Sequence, residues 1–135
     1  MRQLSSEIVQ RDEVPVMFLR TEDAVPAIQR GWARLESLVS LRGRRFYGAF
    51  DPRSDEYWVC TELKEGDDPA AIGLESGTLP GGRFARAQLR GEPPFVYDQI
   101  GPAFQALMRS TTPDRSRPQI EFYRQRDVID CLLPC

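Results

Sequence analysis

The feature that most constrains the fold of this chain is an internal repeat. An apolar triplet with the spacing i, i+4, i+7 occurs twice, 72 residues apart: Ile28, Trp32 and Leu35, then Ile100, Phe104 and Leu107. Each triplet forms a single apolar stripe at the period of an α-helix. The two stripes therefore predict two equivalent helices, each of which covers part of a sheet.

Strand-like segments around the two triplets match in the same order. Residues 18–22 align with 88–92, Gly48 aligns with Glu121, and Cys60 aligns with Cys131, at offsets of 70, 73 and 71 residues. Four matches in the same order indicate that the chain arose by duplication of one unit. We predict a single domain over 1–135, with repeat 1 at about 6–63 and repeat 2 at about 74–134.

Each repeat is expected to form a strand-strand-helix-strand-strand unit. The expected elements of repeat 1 are strands at 7–11 and 14–20, a helix at 25–40, and strands at 45–50 and 57–63. Those of repeat 2 are strands at 74–79 and 83–90, a helix at 98–110, and strands at 120–124 and 127–133. The fold class is therefore α+β. We expect a pseudo-twofold antiparallel sheet, with both helices on one face and a ligand groove on the other.

Composition excludes several function classes. The chain has no histidine, which removes Ser/His/Asp and Cys/His catalytic systems and His-containing zinc sites, and no metal or cofactor is expected. A net charge of −2 gives no reason to expect a nucleic-acid partner. Three widely spaced cysteines and an N-terminus without an apolar signal region are typical of a cytoplasmic protein that has no membrane partner.

Glu121 is the informative polar residue. It lies in the middle of a strand between Ile120 and Phe122, and glutamate is depleted in strands. Because side chains alternate along a strand, Ile120 and Phe122 are expected to face the helix, while Glu121 and Tyr123 face the groove. Two interpretations stay open: a solvated glutamate on an exposed sheet face, or a carboxylate at the base of an aromatic pocket.

Aromatic residues gather near the expected groove. The predicted ligand-binding residues are Glu121, Tyr123, Tyr97, Phe50, Trp58 and Tyr47. Aromatic faces together with one carboxylate are suited to flat lipophilic cations. In an enzyme, Glu121 would be the catalytic residue. Trp32 and Phe104 lie on the helix stripes and are interpreted as core residues, and the remaining rings are also compatible with a core.

Three segments resemble the GyrI-like family of small-molecule-binding domains, which also form the effector-binding part of AraC- and MerR-type multidrug regulators. These segments are 79–85 (LPGGRFA), 90–107 with its Tyr-Asp-Gln-Ile run, and 120–134 with its Glu-x-Tyr pattern. The resemblance implies that Glu121, with Tyr123 beside it, contacts a cationic or aromatic ligand. About four extra residues precede Tyr97 relative to the family pattern, which changes the entrance of the pocket.

The leading prediction is binding of lipophilic aromatic, cationic compounds, in a drug-sequestering or sensing protein. Too few residues precede Glu7 for a helix-turn-helix, so we expect a stand-alone binder. Two alternatives stay open. One is hydrolysis of reactive cyclopropane-type toxins by a pocket carboxylate, and the other is a gyrase-inhibitor-like interaction with a protein partner.

Overall fold

The computed structural model describes residues 6–135 and contains one eight-stranded antiparallel sheet with two α-helices. The first half comprises β1 (Ser6–Arg11), β2 (Val14–Glu22), α1 (Val25–Leu38), β3 (Phe46–Asp51) and β4 (Glu56–Glu62). The second half comprises β5 (Glu75–Leu79), β6 (Gly82–Arg90), α2 (Ile100–Ser110), β7 (Gln119–Gln125) and β8 (Val128–Pro134). The predicted α+β class is confirmed, and each predicted element lies within two residues of its observed bounds.

Two short 3₁₀ segments complete the described chain. One (Ala70–Ile72) lies in the linker between the halves, and the other (Phe95–Gln99) leads directly into α2. No helix in the described range is both long and apolar enough to cross a membrane.

The strand order is β1-β6-β8-β7-β3-β4-β2-β5. The order is symmetric between the two halves. If β1, β2, β3 and β4 are exchanged with β5, β6, β7 and β8 respectively, the order read from the opposite edge of the sheet is the same. The central pair is β3 with β7, one strand from each half, and Gly48 lies directly opposite Glu121 in that pair. The duplication itself stays a prediction.

The strand pairing corrects the repeat alignment at one position. Val59 lies opposite Gly48, and Cys131 lies opposite Glu121. Val59 therefore occupies the position that corresponds to Cys131, and the alignment of Cys60 with Cys131 is wrong by one residue. Because side chains alternate, Cys60 points to the other face of the sheet.

The two edge strands pair with the opposite half. β1 pairs with β6 rather than with β2, and β5 pairs with β2 rather than with β6. β1 and β6 lie at one edge of the sheet, and β2 and β5 lie at the other. Because only two residues join β1 to β2 and two join β5 to β6, the two edges must come close together. At this junction a Cβ on Gly81 would lie 2.6 Å from the Arg11 carbonyl oxygen, so the close approach requires glycine. The sheet is therefore strongly curled.

Both helices pack on one face of the sheet, as predicted. α1 contacts β2 and β4, and α2 contacts β6 and β8. The core between α1 and the sheet contains the buried residues Met17, Leu35, Tyr57, Val59 and Leu74. The core between α2 and the sheet contains Ala85, Ala87, Leu89, Val96, Ala103, Phe104, Leu107, Ile129, Cys131 and Leu133.

The helix-free face is a second apolar core. Its buried residues are Val16, Phe18, Tyr47, Ala49, Cys60, Leu79, Phe84, Ile120, Phe122 and Leu132. The curl of the sheet covers these side chains, which a flat sheet would leave exposed to water. The prediction that this face carries Glu121 in a ligand groove is therefore wrong.

Candidate functional site

Glu121 lies on the face that the helices cover, at the centre of the sheet. Its partner across the β3–β7 pair is Gly48, and Tyr123 follows on the same face opposite Phe46. Ile120 and Phe122 belong instead to the core of the helix-free face. The alternation was predicted correctly, but the faces were exchanged. Because both faces are apolar, the strand pattern does not indicate which one a helix covers.

Two tyrosine hydroxyls hold the Glu121 carboxylate. Tyr57 Oη donates to Glu121 Oε1 at 2.7 Å, and Tyr123 Oη donates to the same oxygen at 2.6 Å. Across residues 6–135, the other oxygen, Oε2, accepts no hydrogen bond. It also retains contact with solvent, since Trp58 Nε1 is the only fully buried side-chain polar atom without a partner in that range. The two hydroxyls thus hold the carboxylate through Oε1, while Oε2 has no hydrogen-bond donor among the described residues.

Gly48 makes this arrangement possible. A Cβ at position 48 would lie 1.9 Å from Tyr57 Oη and 2.9 Å from Glu121 Oε1. Tyr57 is buried on the neighbouring strand β4, so its ring has no room to turn away. The bare backbone of Gly48 therefore leaves the space through which the Tyr57 hydroxyl reaches Glu121.

Burial and the two tyrosine hydroxyls act on the Glu121 carboxylate in opposite directions. Burial raises the pKa of Glu121 above its ordinary value, the two tyrosine hydroxyls oppose this rise, and the Asp23 carboxylate adds to it. Burial, followed by the Glu121 charge, raises the pKa of both Tyr57 and Tyr123 well above the ordinary range, so both hydroxyls remain donors. Within the described part of the chain, no lysine or arginine forms an ion pair with Glu121.

Aromatic rings from both helical segments surround Tyr123. Trp32 of α1 meets its ring edge-on with centroids 5.4 Å apart, and Tyr97 from the segment before α2 does so at 6.4 Å. Tyr97 is 44% exposed and the nearby Phe95 is 72% exposed, which is unusual for large rings. The site therefore lies between α1 and the segment that leads into α2.

The structure separates the predicted site residues into two groups. Glu121, Tyr123 and Tyr97 come together on the helix face, and Phe50 shares that face but packs in the core under α1. Tyr47 and Trp58 lie on the helix-free face, so their assignment to the same site is wrong. Tyr47 stacks on Phe122 with centroids 4.9 Å apart, and Trp58 stacks on Phe18 at 3.9 Å.

Two residues of the site were missed from the sequence, Tyr57 and Trp32. Phe50 pairs directly with Tyr57 across the β3–β4 hairpin, so both must share a face. Once Phe50 is placed with Glu121, the hairpin register therefore selects Tyr57 and excludes Trp58. Trp32 was interpreted as a core residue; it is half-buried and packs both against the core at α1 and against Tyr123.

No group of three or more His, Cys, Asp or Glu side chains able to hold a metal ion occurs across residues 6–135.

Similar folds occur among solved structures at low sequence identity. No family model and no curated protein sequence matches the chain. An integron cassette protein from Vibrio cholerae superposes with a TM-score of 0.76 at 14% identity, covering 96% of this chain and 94% of that one. The SAV2435 protein bound to tetraphenylphosphonium gives 0.69 at 14% identity, with 97% and 93% covered. A transcription regulation protein from Staphylococcus aureus MU50 gives 0.63 at 11% identity, with 98% of both chains covered.

These structures fit a GyrI-like fold. At such identities the likeness concerns the fold alone, in which one open antiparallel sheet carries two helices.

Proposed function

We propose that the chain is a GyrI-like small-molecule-binding protein that holds lipophilic aromatic cations at Glu121, between α1 and the segment before α2. Its role would be to sequester such compounds or to sense them. The observation that carries this proposal is the state of the Glu121 carboxylate. It is half-buried and has no cationic partner among residues 6–135.

A buried carboxylate without a counter-ion is costly, because desolvation disfavours its charge. The hydroxyls of Tyr57 and Tyr123 offset part of that cost at Oε1. A ligand cation near Oε2 would supply the missing opposite charge in a region where water screens it weakly. The site is therefore arranged to gain most from a ligand that carries one positive charge.

The rings around the carboxylate support the aromatic part of the proposal. The faces and edges of Trp32, Tyr97 and Tyr123 offer stacking and cation–π contacts to a large ring system. Tyr97 is 44% exposed, so a bulky ligand can reach its ring from the solvent side. The similarly folded protein bound to tetraphenylphosphonium holds a cation of this class.

The test is a titration with tetraphenylphosphonium, followed by thermal shift and calorimetry. The cation is expected to raise the melting temperature, while tetraphenylborate, which has the same shape and the opposite charge, is not. Glu121→Gln keeps an oxygen for both hydroxyls and removes the charge, so affinity should fall by about tenfold or more. Glu36→Gln makes the same change of net charge at an exposed position on α1 and should bind normally.

Equal affinity of Glu121→Gln and the unsubstituted protein for tetraphenylphosphonium would contradict the proposal. Equal binding of the borate would contradict the assignment of charge selectivity to this site.

Hydrolysis is a second candidate because one further carboxylate lies near the first. The Asp23 charge contributes to the raised pKa of Glu121, and burial raises the pKa of Asp23 itself. A carboxylate with a raised pKa is suited to act as a general base towards water. Turnover of an electrophilic cyclopropane compound, with loss of that turnover in Glu121→Gln, would favour this function over binding alone.

A further inference from the structure

A cavity on the opposite side of the molecule is lined by several hydrogen-bond donors. Its volume is about 430 Å³, and its lining includes Arg11 of β1, Arg45 just before β3 and Tyr47 of β3. Tyr47 belongs to the core of the helix-free face, so this cavity is separated from Glu121 by the sheet. Any ligand here would bind independently of the cation site.

Arg11 is distinctive among the arginines of the described chain. The half-buried arginines are Arg11, Arg44, Arg86 and Arg117. Arg44 pairs with Asp67, Arg86 with Glu7, and Arg117 with Asp114. Within residues 6–135, Arg11 has neither an acidic partner nor a side-chain hydrogen bond. A half-buried guanidinium that remains unpaired is suited to an anionic ligand.

An aromatic pair holds Arg11 in place. Its guanidinium carbon lies 5.3 Å from the centroid of the Phe122 ring, and Tyr47 stacks on Phe122 with centroids 4.9 Å apart. Arg124 also lies over Phe122, at 5.5 Å, but it pairs with the buried Asp130 at 2.7 Å. Of these two arginines, Arg11 therefore has its charge free for a ligand.

Two further donors lie in the same lining. Tyr47 is only 2% exposed, and its hydroxyl donates to no acceptor among residues 6–135. Since that oxygen is not fully enclosed, its remaining exposure must be towards the cavity that it lines. Arg45, just before β3, lies beside Glu62 at the end of β4, and Glu62 N donates to Arg45 O at 3.1 Å. Arg45 and Glu62 do not form an ion pair with each other.

We propose that this cavity binds a small aromatic monocarboxylate. Its carboxylate would accept hydrogen bonds from Arg11, Arg45 and Tyr47, and Val14 and Pro15 provide apolar wall for the ring. Asp12, Glu13 and Glu62 line the same cavity and repel an anion more strongly the more negative charge it carries. The site therefore discriminates against phosphate and other multiply charged anions.

The experiment is a titration of the full chain with 2-naphthoate, its neutral amide and inorganic phosphate, followed by thermal shift and calorimetry. The naphthoate should raise the melting temperature, and the amide and phosphate should not. Arg11→Gln should weaken naphthoate binding by about tenfold or more, because a charged hydrogen-bond donor is lost. Arg83→Gln is the matched control, since Arg83 is exposed and lies outside the cavity lining.

The melting temperature of Arg11→Gln without ligand checks its folding, and Tyr47→Phe provides a second variant that should bind naphthoate less tightly. Glu121→Gln should bind naphthoate normally, which separates this inference from the cation site. Unchanged naphthoate affinity in both Arg11→Gln and Tyr47→Phe would overturn the proposal. Binding of phosphate or the amide as tight as that of naphthoate would also overturn it.

Discussion

The contact of Gly48 with Tyr57 and Glu121 gives the sharpest quantitative prediction. A methyl group at position 48 would overlap Tyr57 Oη at 1.9 Å and approach Tyr57 Cζ at 2.8 Å. Since Tyr57 is 4% exposed, its ring must shift within a packed core to make room. That shift would break the hydrogen bond from Tyr57 Oη to Glu121 Oε1, which measures 2.7 Å.

The expected cost has two parts. Losing a buried hydrogen bond to a charged group costs about 1.5 to 3 kcal/mol, and overpacking a core costs about 1 to 3 kcal/mol. Gly48→Ala should therefore lower the free energy of unfolding by roughly 3 to 5 kcal/mol, which for a chain of this size lowers the melting temperature by roughly 10 to 20 °C. Tyr57→Phe alone removes only the hydrogen bond and should cost about 1.5 to 3 kcal/mol.

The two substitutions should not be additive, because each one removes the same hydrogen bond. A double-mutant cycle measured by urea unfolding should show a coupling of about 1.5 to 3 kcal/mol between positions 48 and 57. Leu63→Ala, at an exposed position beyond β4, is a control that should add to Gly48→Ala without coupling. Simple additivity of Gly48→Ala and Tyr57→Phe, or full stability of Gly48→Ala, would refute the assigned role of Gly48.

Three further predictions follow from the geometry. Affinity for tetraphenylphosphonium should fall as the pH drops through the pKa of Glu121, because only the ionised carboxylate attracts the cation. Since burial raises that pKa above its ordinary value of 4.5, the loss measured by calorimetry should begin at a higher pH than for an ordinary glutamate, and Glu121→Gln should show no such step. Tetraphenylphosphonium should quench the fluorescence of Trp32, which lies on the same face of the sheet as Glu121. Trp32→Phe should therefore abolish the quenching, and Trp58→Phe should keep it. The reverse result would place the ligand on the helix-free face and contradict the proposed site. Arg117 donates to the carbonyl oxygens of residues 81, 83 and 135 at 3.1 to 3.2 Å, so Arg117→Gln should lower the free energy of unfolding by roughly 2 to 4 kcal/mol in urea, and an unchanged midpoint would contradict this.

The order and type of the elements were predictable because they depend on local patterns. Apolar triplets at helical spacing gave α1 and α2, and turn residues such as Pro80 and Gly81 separated the strands. The alignment treated Gly48 and Glu121 as equivalent positions of the two repeats, and the structure places them opposite each other in the central β3–β7 pair.

The site was only partly predictable. Alternation places Glu121 and Tyr123 on one face, and the hairpin register adds Tyr57, so that much was available from the sequence. The choice of Tyr47 and Trp58 ignored the same alternation. Tyr47 is next to Gly48, the partner of Glu121, and Trp58 is next to Tyr57, the partner of Phe50, so both side chains point to the opposite face of the sheet. Tyr97 was selected for its position before the second helix, and the structure places it against Tyr123.

The sequence by itself therefore determined the elements and their order, and it drew attention to Glu121 as a carboxylate in the middle of an apolar strand. It did so because hydrophobic period, turn chemistry and strand alternation act over a few neighbouring residues. Only the tertiary structure decided which face the helices cover, because the curl of the sheet, set by β1 pairing with β6 and β5 with β2, buries the helix-free face without a helix. The same long-range pairing brought Tyr57, Tyr123 and Trp32 around Glu121, and no local pattern specifies contacts between residues that far apart in the chain.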